Sequence, residues 1–121
     1  MRAFVRNRAK NRCEYCLLHQ SDSPLAPLHI EHIRPRKHGG SDEPDNLCLA
    51  CIDCNLRKGS NLTGIDPATD LVTALFNPRK DLWNEHFEWK GVHVAGLTTS
   101  GRTTVQVLDL NSEDRLDLRS S

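Results

Sequence analysis

The chain has 121 residues, with 16 Lys+Arg balancing 16 Asp+Glu and a mean hydropathy of −0.55, a length that fits one domain of roughly 100–200 residues. Its longest unbroken apolar run, Leu47 to Ile52, has six residues, far short of the ~20 that a membrane-spanning helix needs. No apolar stretch follows Met1-Arg2-Ala3-Phe4-Val5-Arg6, so no secretory leader is expected, and the expected setting is cytoplasmic, where thiols stay reduced.

Residues 1–12 carry Arg2, Arg6, Arg8, Lys10 and Arg12 and no acid. They read either as a short helix whose basic face meets phosphates or as a solvated arm. The first cysteine pair follows, Cys13-Glu14-Tyr15-Cys16, and its counterpart is Cys51-Ile52-Asp53-Cys54, with 34 residues between. A C-x2-C knuckle sets two thiolates on one side of a tight turn, and two facing knuckles make a tetrahedral sulfur site suited to zinc. The gap exceeds the ~15–20 residues of compact zinc ribbons, so the insert must itself fold. An odd total of five cysteines and a reducing compartment both argue against disulfides. The leftover Cys48 reads as a small buried hydrophobe. With aromatics at 5%, a structural metal stabilises what a small apolar core cannot.

Within the insert, residues 28–33 predict a strand by period-2 alternation, with Leu28, Ile30 and His32 on one side. Pro35 and Gly39-Gly40 end it and open a loop. Leu47 to Ala50 predicts the second strand of a hairpin, and residues 51–60 a short helix stopped by Gly59. The order is β-loop-β-α, with the second knuckle at the strand-to-helix junction.

The residues Glu31-His32-Ile33-x-Pro35, Gly39-Gly40, Asn46-Leu47 and Cys51-x-x-Cys54-Asn55-x-x-Lys58 resemble the HNH endonuclease family in its zinc-bearing branch. The gaps His32-x13-Asn46-x8-Asn55 are similar to those of its ββα-metal core, and the resemblance covers residues 12–60. It implies an α+β fold: a ββα-metal core stapled by Cys13, Cys16, Cys51 and Cys54 around structural Zn²⁺. It implies a DNA endonuclease or nickase in which His32 is the general base. Asn46 would hold His32 in place across the hairpin. Glu31 and Asn55 would hold a divalent ion, and a hard-oxygen pair of that kind favours Mg²⁺ or Mn²⁺. Arg57 and Lys58 on the helix, with Arg34, Arg36 and Lys37 in the loop, are the candidates for nucleic-acid contact. The family often has Asp and His where this chain has Glu31 and Asn55. Residues 31 and 32 also point to opposite faces of a regular strand, so both can serve one phosphate only if the strand ends or twists there.

Beyond residue 60, Thr63-Gly64-Ile65-Asp66-Pro67, Leu75-Phe76-Asn77-Pro78-Arg79 and Gly101-Arg102-Thr103-Thr104-Val105 resemble a C-terminal extension of some bacterial HNH proteins. Residues 61–77 read as irregular, with a short strand or helical turn within 68–76. A short helix is predicted over 79–88 after Pro78, a hairpin of strands 92–97 and 102–110 around Ser100-Gly101, and a fraying polar end over 111–121. The whole is expected to be a single domain of core (12–60) and extension (61–121).

Charge is unevenly placed: residues 1–60 hold ten Lys/Arg and seven Asp/Glu (net +3), and residues 61–121 hold six and nine (net −3). Local phosphate contacts, not the chain total, set DNA affinity, so neutrality does not exclude a DNA partner. It favours a helper protein or a special DNA shape, and a chain too short to include a recognition domain is expected to act non-specifically or as a homodimer. A non-catalytic zinc module that binds nucleic acid or protein is the alternative; Glu31-His32, Asn46 and Asn55 in register separate the two.

Overall fold

In the computed structural model, which describes residues 1–121, the insert between the cysteine pairs is an antiparallel hairpin. Strand β1 (His29–His32) pairs with β2 (Leu47–Ala50) in the register His29↔Ala50, Ile30↔Leu49, Glu31↔Cys48 and His32↔Leu47. Helix α2 (Ile52–Lys58) starts directly after β2, because Cys51 is its N-cap and the Cys51 sulfur accepts from the Cys54 amide. Gly59, with φ +51, ends it, as expected for a backbone that L-residues rarely adopt. This is the ββα arrangement of the resemblance, with the second knuckle at the strand–helix junction.

The chain forms two compact units. One comprises Met1–Asn61 and Asn77–Lys80, the other Leu62–Phe76 and Asp81–Ser121. In the first, helix α1 (Arg2–Arg8) precedes the first knuckle. Its arginines turn inward to backbone carbonyls: Arg6 donates to Leu28 O at 2.8 Å, and Arg8 to Leu47 O at 2.7 Å and Pro44 O at 3.1 Å. The expected basic face is therefore partly spent on holding the helix against the hairpin. The core of this unit is Val5, Tyr15, Leu28, Ile33 and the fully buried β2. Strand β1 is out of phase with the prediction, because Glu31 is its buried position and Ile30 and His32 are only half-covered.

The second unit departs further from the prediction. Residues 61–77 hold a hairpin, β3 (Thr63–Ile65) with β4 (Val72–Ala74). The predicted 79–88 helix shrinks to a single turn, α3 (Trp83–His86), and runs straight into β5 (Phe87–Lys90). Strand β5 pairs with β6 (His93–Gly96) around Gly91, whose φ is +61. Of the predicted strand over 102–110, residues 102–107 are instead part of helix α4 (Thr99–Val107) and 108–110 are turn. Its β-branched residues favour strands only as a weak prior, and here local capping outweighs it. Thr98 caps the Gly101 amide, while Thr103 and Thr104 return their hydroxyls to the carbonyls of Thr99 and Ser100. Thr104 Oγ1 also accepts from the Phe76 amide at 2.8 Å. A Cβ on Gly101 would lie 2.1 Å from His86 O, and one on Gly96 would lie 2.4 Å from Arg102 N, so close packing of α4 rests on these glycines. The polar end is helical. Helix α5 (Glu113–Ser120) is capped by Ser112 and tied down by Arg119, which donates to Leu110 O and Val92 O.

Asp66 is fully buried in this unit and receives two guanidinium hydrogen bonds from Arg102, at 3.0 and 2.9 Å. Arg102 holds the Asp66 carboxyl well below its usual range, with the Ala68 amide and Thr69 hydroxyl helping against desolvation. A depressed carboxyl contributes stability that is present above the ordinary Asp value of about 3.9 and is lost as pH falls further. Thermal melts at decreasing pH should therefore show the second unit weakening below about pH 4, and Arg102→Met should flatten that dependence.

Candidate functional site

The four knuckle cysteines converge. Their sulfurs lie within 4.8 Å of one another, all four are buried, and Cys16 Sγ is 3.6 Å from Cys51 Sγ. A tetrahedron with Zn–S of about 2.3 Å has edges of about 3.8 Å, so the set fits zinc. All five cysteines are free of disulfides. The local fold explains the convergence. Leu17 at φ +67 turns the first knuckle back, with Cys13 N donating to Leu18 O at 2.8 Å and Cys16 N to Cys13 Sγ at 3.5 Å. Cys54 N donates to Cys51 Sγ at 3.4 Å. Backbone amides aimed at sulfur in this way favour thiolate. Glu14 then docks the knuckle on β2: its amide donates to Leu49 O and its carboxylate accepts from Leu49 N, both at 2.8 Å, while Arg79 pairs with the other carboxylate oxygen.

Glu31 and His32 do not share a face. Strand β1 is regular through both, so Glu31 points into the core and His32 away from it. Glu31 is 6% exposed and its Oε1 lies 2.7 Å from the Nζ of Lys58, itself 2% exposed. The Tyr15 hydroxyl hydrogen-bonds to the Glu31 carboxylate, and the Cys48 sulfur lies 3.7 Å from Oε2. Burial raises the Glu31 carboxyl above its ordinary value, with Lys58 opposing. Burial also pushes the Cys48 thiol well up, which keeps it a donor.

Two expectations change here. Lys58 is not a phosphate contact: its ammonium is buried and also donates to Ile33 O at 2.9 Å and His32 O at 3.4 Å, tying α2 to the end of β1. Glu31 does not fit the ligand set of the resemblance, because its carboxylate is already paired with a cation in the core and would have to leave Lys58 to reach an ion beside Asn55. Asn55 is half-buried on α2. Removing one partner of a buried ion pair costs about 3–5 kcal/mol, whereas replacing both with apolar groups is nearer neutral. Glu31→Gln should therefore lower the urea midpoint of the first unit sharply, and Glu31→Leu with Lys58→Met should recover much of it.

His32 is 26% exposed, and its Nε2 donates to Asp42 Oδ1 at 2.7 Å. Asn46 spans the hairpin. Its Oδ1 accepts from Arg34 N at 2.8 Å, and its Nδ2 donates to Arg34 O at 2.9 Å and Ser41 O at 2.8 Å. Ile33 N donates to Asn46 O at 2.8 Å, which adds a further rung beyond the strands. A Cβ on Gly40 would lie 1.6 Å from Arg34 O; Gly40→Ala should disorder this loop, seen as lost amide protection around residues 34–46. Among the loop cations, Arg34 donates to His38 O and Arg36 to Asp42, while Lys37 and Arg57 are exposed. Asp42, Tyr15 and Cys48 were not identifiable as site residues from spacing. Cys48 lies opposite Glu31 only in the register of the folded hairpin.

The HNH endonuclease family model matches residues 13–61, the segment that carries both knuckles and the ββα hairpin. The chain carries an HNH endonuclease domain match at residues 13–61. That family is one of nucleases, and the match supports a nuclease-type function in general terms. Over 110 residues the chain is 29% identical to the Septu protein PtuB of Bacillus thuringiensis, an alignment covering 89% of this chain and 40% of that protein. The chain thus spans about two-fifths of the length of this curated relative. No solved structure matches. No helix is long and apolar enough to cross a membrane.

Proposed function

We propose that the HNH domain is a metal-dependent DNA endonuclease or nickase in which His32 is the general base. The observation that supports this reading is a partly exposed imidazole at the end of β1, held on the open side of a hairpin whose opposite side is closed by the Glu31–Lys58 pair. His32 takes a proton from a water as the water oxygen bonds to phosphorus, and the bond from phosphorus to the leaving 3′-oxygen breaks. Asn46 positions His32 through the backbone of Arg34, two residues on. Lys37 and Arg57, with Arg34 and Arg36, lie at or beside the same loop and helix and would meet the DNA backbone. Mg²⁺ or Mn²⁺ would supply charge neutralisation at the phosphate; Asn55 can offer an amide oxygen to it, and Glu31 only on release from Lys58. DNA as substrate, and a helper protein or a second copy as companion, belong to the same proposal, since the relative is a much longer protein.

A plasmid-nicking assay tests this reading. The zinc-loaded protein should nick supercoiled DNA with Mg²⁺ or Mn²⁺ and not with a chelator of those ions. Folded protein that leaves every DNA form intact with both ions would favour a non-catalytic zinc module.

A further inference from the structure

We infer that Asp42 is the positioning residue for His32, fixing the ring's tautomer and orientation so that Nδ1 is the atom that accepts the proton. This rests on the nuclease reading above. The hydrogen bond from Nε2 to Asp42 Oδ1 is 2.7 Å long. A carboxylate can only accept, so the neutral ring carries its proton on Nε2 and leaves the Nδ1 lone pair open.

Asp42 is 68% exposed, and an isolated surface pair of this kind contributes little to stability. Its placement, however, is built in from both sides. Arg36 donates to the same Oδ1 from Nε at 3.1 Å and from its terminal nitrogen at 2.9 Å. The preceding residue, Ser41, is tied through its carbonyl to Asn46 Nδ2 at 2.8 Å, and the loop before it is closed by Gly40 N donating to Pro35 O at 3.0 Å. Gly40 permits that closure, since no Cβ fits against Arg34 O. The His32 and Arg36 hydrogen bonds hold the Asp42 carboxyl below its ordinary value, so it is anionic when the imidazole takes up its proton. As the water O–H bond breaks and the Nδ1–H bond forms, the new imidazolium charge lies against that anion. Asp42 acts through His32 and does not touch the reacting atoms.

A carboxylate beside a DNA-binding surface would ordinarily repel phosphate, so its removal should lower KM. A positioning role adds a burden on kcat: Asp42→Ala should lower kcat by about 10- to 100-fold, a part of what a general base supplies, with KM unchanged or lower, and Asp42→Glu should restore part of the rate. Independently of activity, long-range ¹H–¹⁵N correlation spectra of the zinc-loaded, ¹⁵N-labelled protein above the His titration range should show His32 with its proton on Nε2. Asp42→Ala should mix the tautomers while zinc content and the other resonances persist. A wild-type His32 protonated on Nδ1, or an Asp42→Ala spectrum in which His32 is unchanged, overturns the inference. So does a variant whose kcat is undiminished. If no form of the protein nicks DNA, the nuclease reading fails, and the tautomer measurement still decides whether Asp42 sets the ring.

Discussion

His32→Ala should abolish metal-dependent nicking, a loss of about 10²–10⁴-fold or down to background, while zinc content, circular dichroism and melting temperature stay at wild-type values. The structure explains why the two readouts should separate. The His32 side chain is on the open side of the hairpin and its ring bonds to Asp42, whereas the covalent neighbour Glu31 carries the core pairing. What β1 contributes to stability at this end comes from its backbone: His32 O and Ile33 O accept from Lys58, and Ile33 N donates to Asn46 O. An alanine keeps all three. Retained nicking by purified His32→Ala would remove His32 from the chemistry and the base from the proposal. Asn55→Ala is the companion variant, because nothing in the core depends on its side chain as it does on Lys58. If the amide holds the divalent ion, its loss should raise the Mg²⁺ concentration needed for half-maximal rate.

Loss of zinc should unfold the first unit and not merely silence it. A structural Cys₄ site contributes its binding free energy to folding, about 10–16 kcal/mol in apparent terms for isolated zinc-finger peptides, as large as or larger than a domain's usual net stability of about 5–15 kcal/mol. In this chain the coupling is direct. Cys13 and Cys16 anchor the knuckle that Glu14 docks on β2, and Cys51 and Cys54 set the start of α2. Without the metal, four sulfurs within 4.8 Å become a cluster of buried thiols with nothing to organise them. Cys13→Ala should give unfolded or insoluble protein, and a strong zinc chelator should collapse the amide dispersion of residues 1–61. Cys48→Ala is the control. Its sulfur faces Tyr15 and Glu31 and is not in the cluster, so one zinc per chain should remain, with a loss of stability set by the small cavity alone. A stable, zinc-free Cys13→Ala protein would show that sulfur packing suffices.

Much of the first unit is legible in the sequence because its signals are local. A C-x2-C spacing can be met only by a tight turn, and a cysteine one position before a helix can serve as its N-cap. Gly59 stops α2 because its φ is positive, and Pro35 with Gly39-Gly40 ends β1 because a strand cannot carry them. None of these depends on what lies across the core. The paired knuckles and the β-loop-β-α order follow from such signals, as does the expectation of zinc.

The direction of individual side chains is not local, and only the tertiary structure decided it. Spacing brings Glu31, His32 and Lys58 into one motif, but a regular strand must send residues 31 and 32 to opposite faces. Which face is the core depends on Tyr15, Cys48 and α2 arriving there. Lys58 turns inward because Glu31 is buried, and a buried carboxylate needs a cation. In the second unit, β-branched Thr103, Thr104 and Val105 read as strand. They become helix because Thr98 caps the first turn, the threonine hydroxyls satisfy the backbone, and Gly96 and Gly101 admit neighbours no other residue would. Sequence alone therefore determined the four-cysteine cluster that fits zinc and the order of elements in the first unit. The fold determined which face is left open for chemistry, because burial is a property of the assembled core and not of any one segment.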